Sequence, residues 1–154
     1  MNKLILGIIL TLVPFIELRG GLPLVILHAK AQALPIWPFF ILILILNTLI
    51  ILFAFYFLDF LHIRLMKNKT YKRFFESYLE RSQKKIKRFQ DRHKKIGFLG
   101  LYLFTAIPLP ITGAYSATLL CWLTGLNRVK STIAIFFGLL TAEIIILLIT
   151  LGLI

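Results

Sequence analysis

Two breaks rich in Pro and Gly, each set inside a stretch of apolar residues, constrain this chain more than any other feature. The first break runs over residues 14–23 and contains Glu17 and Arg19, and the second runs over residues 108–116. Irregular backbone is tolerated at membrane depth only where protein or a water-filled cavity covers it. A charged side chain there costs at least about 2.5–3.5 kcal/mol. We therefore expect the two breaks to meet around a shared pocket inside the protein.

The composition indicates an integral membrane protein. Of the 154 residues, 59% are hydrophobic, and the mean hydropathy is +0.90. Residues 40–58 contain no charge, and residues 131–154 contain only Glu143. Both stretches are long enough to span the hydrocarbon core as helices, which takes about 20 residues.

The sequence contains no pattern typical of an enzyme or a metal site. His28, His62 and His93 lie far apart, without ligand spacing, and Cys121 has no second cysteine to pair with. Neither a hydrolase triad nor a phosphate-binding loop is present. We expect a protein that is not an enzyme and that has no cofactor and no metal.

A strongly basic segment separates the two halves. Residues 64–95 contain thirteen Lys or Arg and three acidic residues, so the positive-inside rule predicts a cytoplasmic location for them. Apolar and aromatic residues recur in this segment at intervals of three and four, which predicts a basic amphipathic helix over residues 63–95 on anionic lipid headgroups. A solvated loop that only sets the orientation is the alternative. Nucleic acid is not an expected partner. The recurring positions are Tyr71, Phe75, Tyr78, Ser82, Ile86, Phe89, His93 and Ile96.

Four apolar blocks lie at residues 4–29, 36–61, 97–126 and 131–154. The second and fourth are continuous and predict membrane-spanning helices, 36–61 and 131–154. The first and third are broken, so each is either one kinked span or a re-entrant hairpin that enters and leaves by one face. The hairpin arrangement leaves fifteen of the eighteen basic residues in the cytoplasm, which satisfies the positive-inside rule better. It also predicts that both termini lie outside.

The hairpin arrangement implies an inverted repeat, an architecture common in secondary transporters. The predicted fold is thus all-α, with one repeat over residues 1–62 (hairpin 4–29) and a second over residues 96–154 (hairpin 97–126). Similarity between the repeats is slight, but Asn47 and Glu143 both lie in mid-span.

The first break supplies the strongest candidate binding residues. Glu17 and Arg19 should pair with each other or face water, and Gly20 and Gly21 allow positive φ angles and close approach of a ligand. A helix that starts after Gly21 and is bounded by Pro23 would present free N–H groups to an anion beside Arg19. A purely structural clamp is the alternative for the Glu–Arg pair.

The second break adds hydroxyl groups and no charge. Its small residues would equally permit tight helix packing, which is the simpler interpretation. Glu143, in the middle of the last block, could exchange protons near neutral pH or remain a neutral structural residue. The candidates in the second break are Pro108, Pro110, Thr112, Gly113, Tyr115 and Ser116.

The two breaks resemble the small multidrug export protein family in the stretches Glu17-x-Arg19-Gly20-Gly21-x-Pro23 and Pro108-x-Pro-x-Thr-Gly113. That family is similar in predicted architecture to the DedA/VTT superfamily, which has two re-entrant hairpins, each followed by a transmembrane helix. The resemblance extends over nearly the whole chain. It implies transport or lipid translocation that depends on membrane-embedded acidic and arginine residues.

Together these features predict a small DedA-like transporter or lipid translocase in the inner or plasma membrane. Its expected substrate is an anionic lipid or an amphiphilic small molecule, and Glu17 or Glu143 would carry a proton. A homodimer is expected because the chain is short for alternating access. The alternatives are a membrane anchor that acts through its basic helix, and a drug efflux protein of the four-helix type, against which the two breaks argue.

Overall fold

The computed structural model describes residues 3–14, 16–68, 72–73, 97–109 and 112–152, and within these ranges the regular structure is helical, with no strand. The helices there are α1 (Lys3–Leu12), α2 (Glu17–Ala31), α3 (Trp37–Leu65), α4 (Gly97–Ala106), α5 (Ala114–Thr124) and α6 (Arg128–Leu151).

Only α3 and α6 among these helices are long and apolar enough to cross a membrane. At about 1.5 Å rise per residue, their 29 and 24 residues extend about 43 Å and 36 Å, against a hydrocarbon core of about 30 Å. The other described helices have 10 to 15 residues and are too short to cross alone. For the described residues, the prediction of an all-helical fold with two long apolar helices is confirmed.

Local signals explain where the long helices begin and end. Pro38 lies in the first turn of α3, where its missing N–H costs nothing. Asn127 precedes α6, and its side-chain oxygen accepts a hydrogen bond of 3.1 Å from the Lys130 N–H. Gly152 ends α6 with a φ of 71°, a left-handed conformation that glycine adopts without a steric penalty.

The first two helices form a hairpin that is closed by a small residue. α1 packs along α2, and a Cβ on Gly21 would overlap Thr11 and approach the Gly7 carbonyl oxygen to 2.6 Å. The absence of a side chain at Gly21 therefore allows α1 and α2 to pack closely.

The second half is assembled around α6. Tyr102 of α4 lies 3.1 Å, hydroxyl to hydroxyl, from Thr141 of α6, and a Cβ on Gly138 would overlap Thr105. α5 packs against both α3 and α6, and α2 also packs against α6. The buried apolar core runs between these helices, from Leu22 and Ile26 of α2 to Leu139 of α6.

A polar cluster joins the end of α3 to the start of α6. Both carboxylate oxygens of Asp59 accept hydrogen bonds from Arg128, at 2.6 Å and 2.9 Å. The indole N–H of Trp122, near the end of α5, donates to Asp59 Oδ1 at 2.9 Å. Because α3 ends where α6 begins, the two long helices run in opposite directions.

The first break differs from its prediction. The described irregular backbone comprises residues 13, 14 and 16, and α2 already begins at Glu17. Gly20, Gly21 and Pro23 lie inside α2, so the expected helix start after Gly21 is wrong. The positive φ expected of the glycines is found instead at Glu17, with a φ of 44°.

Most of the predicted basic helix, residues 63–95, lies outside the described residues, as does Pro110. Residues 61–65 continue α3. The inverted repeat, the re-entrant course of the hairpins and the positions of the termini remain predictions.

Candidate functional site at the junction of the two breaks

The carboxylate of Glu17 binds the first backbone N–H groups of α5. Its Oε2 accepts from the Ala114 N–H at 3.1 Å and its Oε1 from the Tyr115 N–H at 3.2 Å. The first N–H groups of a helix have no partner within the helix, and negative charge at this end is stabilised by the helix dipole. Glu17, at 4% exposure, therefore acts as the cap that α5 does not receive from its own N-cap residue, Gly113.

Gly113 makes this contact possible. A Cβ at this position would overlap the carboxylate of Glu17. The backbone of Gly113 is extended, with φ −111° and ψ −165°, so the requirement is for space and not for an unusual backbone conformation.

Arg19 reaches the same segment from the next part of α2. Its Nη2 donates to the Thr112 carbonyl oxygen at 2.5 Å and to the Thr112 hydroxyl at 2.7 Å. The Thr112 hydroxyl also lies 2.8 Å from the Ile107 carbonyl oxygen and 2.9 Å from that of Leu109. The guanidinium thus supports an irregular backbone that has lost its helical hydrogen bonds.

Tyr115 of the second break binds the end of α1, beside the first break. Its hydroxyl donates to the Leu12 carbonyl oxygen at 2.7 Å, at the end of α1. The last carbonyl groups of a helix have no partner within the helix, just like the first N–H groups. We call the set Leu12, Glu17, Arg19, Thr112, Gly113, Ala114 and Tyr115 the junction.

The junction shows that the expected meeting of the two breaks is present. The sequence left open whether Glu17 and Arg19 pair with each other or face water. In the structure each of these side chains binds the second break, and no ion pair joins them in the described part of the chain. Charges that would be costly in lipid are matched here by backbone groups that the two breaks expose.

Two apolar grooves open beside the junction. One has a volume of about 460 Å³ and is lined mainly by α5 residues and Phe104 of α4. The other, of about 380 Å³, lies between α5 and the Phe53–Leu58 part of α3. Both are lined by Pro14, Tyr115 and Leu119, so these three residues separate the grooves and border both. Ser116 lines the first groove only.

Other candidate residues have different positions. Gly20 and Gly21 belong to α2, and Gly21 contacts α1, not the second break. Pro108 lies in the irregular segment after α4, between Ile107 and Leu109, whose carbonyl oxygens contact the Thr112 hydroxyl. Glu143 lies in α6, at 0% exposure, and no junction contact involves it.

Sequence reasoning did not identify Leu12, Ala114 or Leu119 as site residues. The Gly113-Ala114 pair carried a usable signal, because a helix that begins without a capping side chain needs an acceptor from elsewhere. Leu12 takes part through its carbonyl group and Leu119 through its location beside the grooves. Neither role can be recognised from the residue type.

The contact between Gly113 and Glu17 can be tested by a double-mutant cycle. We expect Gly113→Ala to lower the free energy of unfolding by roughly 1–3 kcal/mol, since the added methyl group displaces the Glu17 carboxylate. In a Glu17→Ala background the same change should cost far less, because the colliding carboxylate is gone. Thermal or denaturant unfolding in detergent would measure the four proteins.

Gly100→Ala is the matched control, as a Cβ there meets no atom within 4 Å. Costs of Gly113→Ala and Glu17→Ala that add to within about 0.5 kcal/mol would show that the two residues are independent and would contradict the described contact.

Comparison with known proteins places these features in a family. Neither the curated proteins nor the solved structures include a match to the chain. A family model described as "Putative small multi-drug export protein" matches residues 17–145. The match begins at Glu17 and includes both sides of the junction, α3 and most of α6. The chain is a membrane protein that belongs to the small multi-drug export protein family.

Proposed function

We propose that this protein is a small membrane exporter of amphiphilic molecules and that the junction with its two grooves is the binding site. The observation that carries the proposal is the location of Tyr115, which lines both apolar grooves while its backbone N–H binds Glu17. A molecule with an apolar body and one charged group would meet both kinds of surface at this point.

The size and chemistry of the grooves support an amphiphilic ligand. Volumes of 460 and 380 Å³ fall within the range of about 300–1,000 Å³ that is usual for small-molecule sites. The lining is almost entirely apolar, with the Ser116 and Tyr115 hydroxyls as polar exceptions. Such a surface accommodates an alkyl or aromatic body and excludes a fully polar solute.

Charge at the junction favours an anionic group on the ligand. Both hydrogen bonds of Arg19 use Nη2, so within the described structure the N–H groups of Nη1 and Nε remain for single charge-assisted hydrogen bonds to an anionic group. The Ala114 and Tyr115 N–H groups at the start of α5 are already occupied by Glu17. The proposed substrate class is therefore an anionic amphiphile. It includes anionic lipids, the substrate expected of a DedA-like protein.

The Asp59–Arg128 contact supports two re-entrant hairpins. Four complete spans would separate Asp59, near the end of α3, from Arg128, at the start of α6, by the thickness of the membrane. The observed bonds of 2.6 and 2.9 Å fit the hairpin arrangement, in which both residues lie on the side of the basic segment. The short lengths of α1, α2, α4 and α5 support it as well.

Other partners remain part of this proposal. Anionic lipid headgroups would bind the basic segment, protons would drive export, and two copies of the chain would form a dimer. Nucleic acid, a cofactor and enzymatic chemistry are not part of the proposal. If the protein were instead an anchor that acts through its basic segment, deletion of residues 69–94 would abolish its activity and Arg19→Ala would not. If the protein is a transporter, Arg19→Ala should reduce its activity more than deletion of residues 69–94 does.

Labelling of single cysteines tests the proposed arrangement in the membrane. In a Cys121→Ser background, Lys67→Cys and Lys130→Cys should both be protected from a membrane-impermeant maleimide added outside intact cells. Ala33→Cys, between α2 and α3, should be labelled. All three positions are exposed in the structure, and permeabilised cells control for reactivity. Labelling of Lys130→Cys from outside while Lys67→Cys stays protected would establish four complete spans.

Filling the grooves tests the binding site. Leu119→Trp places a larger side chain at the border of both grooves, and we expect it to reduce transport of an anionic fluorescent amphiphile, 1-anilinonaphthalene-8-sulfonate, by about tenfold or more, which corresponds to about 1.4 kcal/mol of lost binding. Arg19→Ala should reduce it too, with less effect on any transport of the cation ethidium. Proteoliposomes with the purified protein provide the measurement.

Ile133→Trp is the matched control for the Leu119 variant. Ile133 on α6 is 51% exposed and Leu119 is 42% exposed, but Ile133 lines neither groove. Equal transport by the Leu119→Trp, Ile133→Trp and unmodified proteins would show that the grooves are not the site.

A further inference from the structure

Glu143 is the most deeply enclosed carboxyl group among the described residues. It lies on the buried face of α6, beside Leu139, Ala142 and Ile146, and it has 0% exposure. Neither Oε1 nor Oε2 has a hydrogen-bond partner in the described structure. A buried polar group in this condition is uncommon in native proteins and calls for an explanation.

Physical chemistry decides which form of Glu143 fits this position. An ionised carboxylate would give up its hydration and receive neither a donor nor a cation in return, which is very costly in an apolar interior. The neutral acid costs much less, although it leaves its O–H and its oxygens unpaired. The arrangement described here therefore matches the protonated form of Glu143.

The groups on the neighbouring helices reinforce this assignment. The buried face of α3 contributes the Asn47 amide and no ionisable group, and those of α2 and α5 contribute Glu17 and the Cys121 thiol. On α4, the Tyr102 hydroxyl is paired with Thr141. None of these groups donates a hydrogen bond to Glu143, and neither does His28 of α2, whose Nε2 is buried without a partner in the described structure.

Asn47 lies at a similar depth in the other long helix. Counted along the two helices from the Asp59–Arg128 contact, Asn47 is about 18 Å away and Glu143 about 22 Å away at the usual rise per residue. Asn47 is also at 0% exposure, and its Oδ1 has no partner in the described part of the chain. The Asn47 Nδ2 does donate to the Ile43 carbonyl oxygen, at 2.9 Å. The middle of the helix bundle thus contains two polar side chains with unpartnered oxygen atoms at a similar depth, apart from the junction.

Glu17 offers an informative contrast. Two backbone N–H groups and the end of a helix surround its carboxylate, and all of them stabilise the anion. Protonation of Glu17 would remove the cap of α5 and weaken the junction. Of the two carboxyl groups on buried helix faces, Glu143 is the one that can change its protonation without breaking a contact seen here.

We propose that Glu143 is the proton-exchange site that couples transport to the proton gradient, while Glu17 remains an anion throughout the cycle. This inference rests on the proposed transport function. A carboxylate oxygen of Glu143 takes up one proton from water on one side of the membrane, the neutral acid is enclosed as described here, and the same proton is released when the opposite side opens. One proton enters and one leaves, and no other bond changes.

Infrared spectroscopy of the purified full-length protein tests the protonation directly, without transport. We expect the carbonyl-stretch band of a buried carboxylic acid at neutral pH, its loss in Glu143→Gln, and its retention in Glu17→Gln. Glu143→Asp, which restores an ionisable group, should retain such a band. A band that is unchanged in Glu143→Gln, or no band in the unmodified protein, would overturn the assignment.

Proteoliposomes test the coupling. An imposed pH gradient should drive accumulation of 1-anilinonaphthalene-8-sulfonate above the level without a gradient, and Glu143→Gln should reduce this ratio to about one, with partial recovery in Glu143→Asp. A Glu143→Gln protein that keeps the gradient dependence would disprove the coupling role. If no variant and no unmodified protein transports the probe, the transport function fails, and the infrared result still decides whether Glu143 holds the proton.

Discussion

The contact between the Glu17 carboxylate and the N-terminus of α5 is the interaction on which the rest of this structure depends. Two breaks in apolar helices leave backbone N–H and carbonyl groups without partners, a state that a bilayer interior does not permit. Glu17 and Arg19 supply partners to the second break, and Tyr115 supplies one to the first. Each break is therefore acceptable only because the other is present.

This mutual dependence explains how a short chain can hold the proposed binding site in place. The junction fixes the tips of the two helix pairs, and the Asp59–Arg128–Trp122 cluster fixes the ends of α3 and α5 beside the start of α6. Between these two polar contacts the helices are held by apolar packing, which leaves grooves on both sides of Tyr115. In our account, Glu17 organises the site and Glu143 responds to the proton gradient.

The sequence predicted what depends on local composition. Long uncharged runs predicted α3 and α6, the Pro and Gly residues predicted the breaks, and the cost of Glu17 and Arg19 in lipid predicted that the breaks meet. The start of α2 was predicted wrongly because Gly20 and Gly21 were interpreted as turn residues, whereas Gly21 allows close packing of α1. Turns and close helix packing both favour glycine, and a single sequence does not separate the two uses.

The partners of the charged residues could not be predicted for a different reason. Glu17 binds backbone groups 97 and 98 positions away, and backbone groups carry no residue identity. The bonds of Asp59 to Arg128 and Trp122 depend on how α3, α5 and α6 meet at one level, which no local pattern in the sequence specifies. The grooves follow from packing and have no sequence signal at all.

Nuclear magnetic resonance of the amide groups of Ala114 and Tyr115 tests the central contact most directly. In the isotope-labelled protein in a membrane mimetic, Glu17→Gln should shift these two amide proton resonances more than those of any other residue outside the neighbourhood of position 17, because a charged acceptor is replaced by a neutral one. Ala134, in α6, serves as the unaffected reference. Unchanged resonances of Ala114 and Tyr115 in that variant would contradict the account.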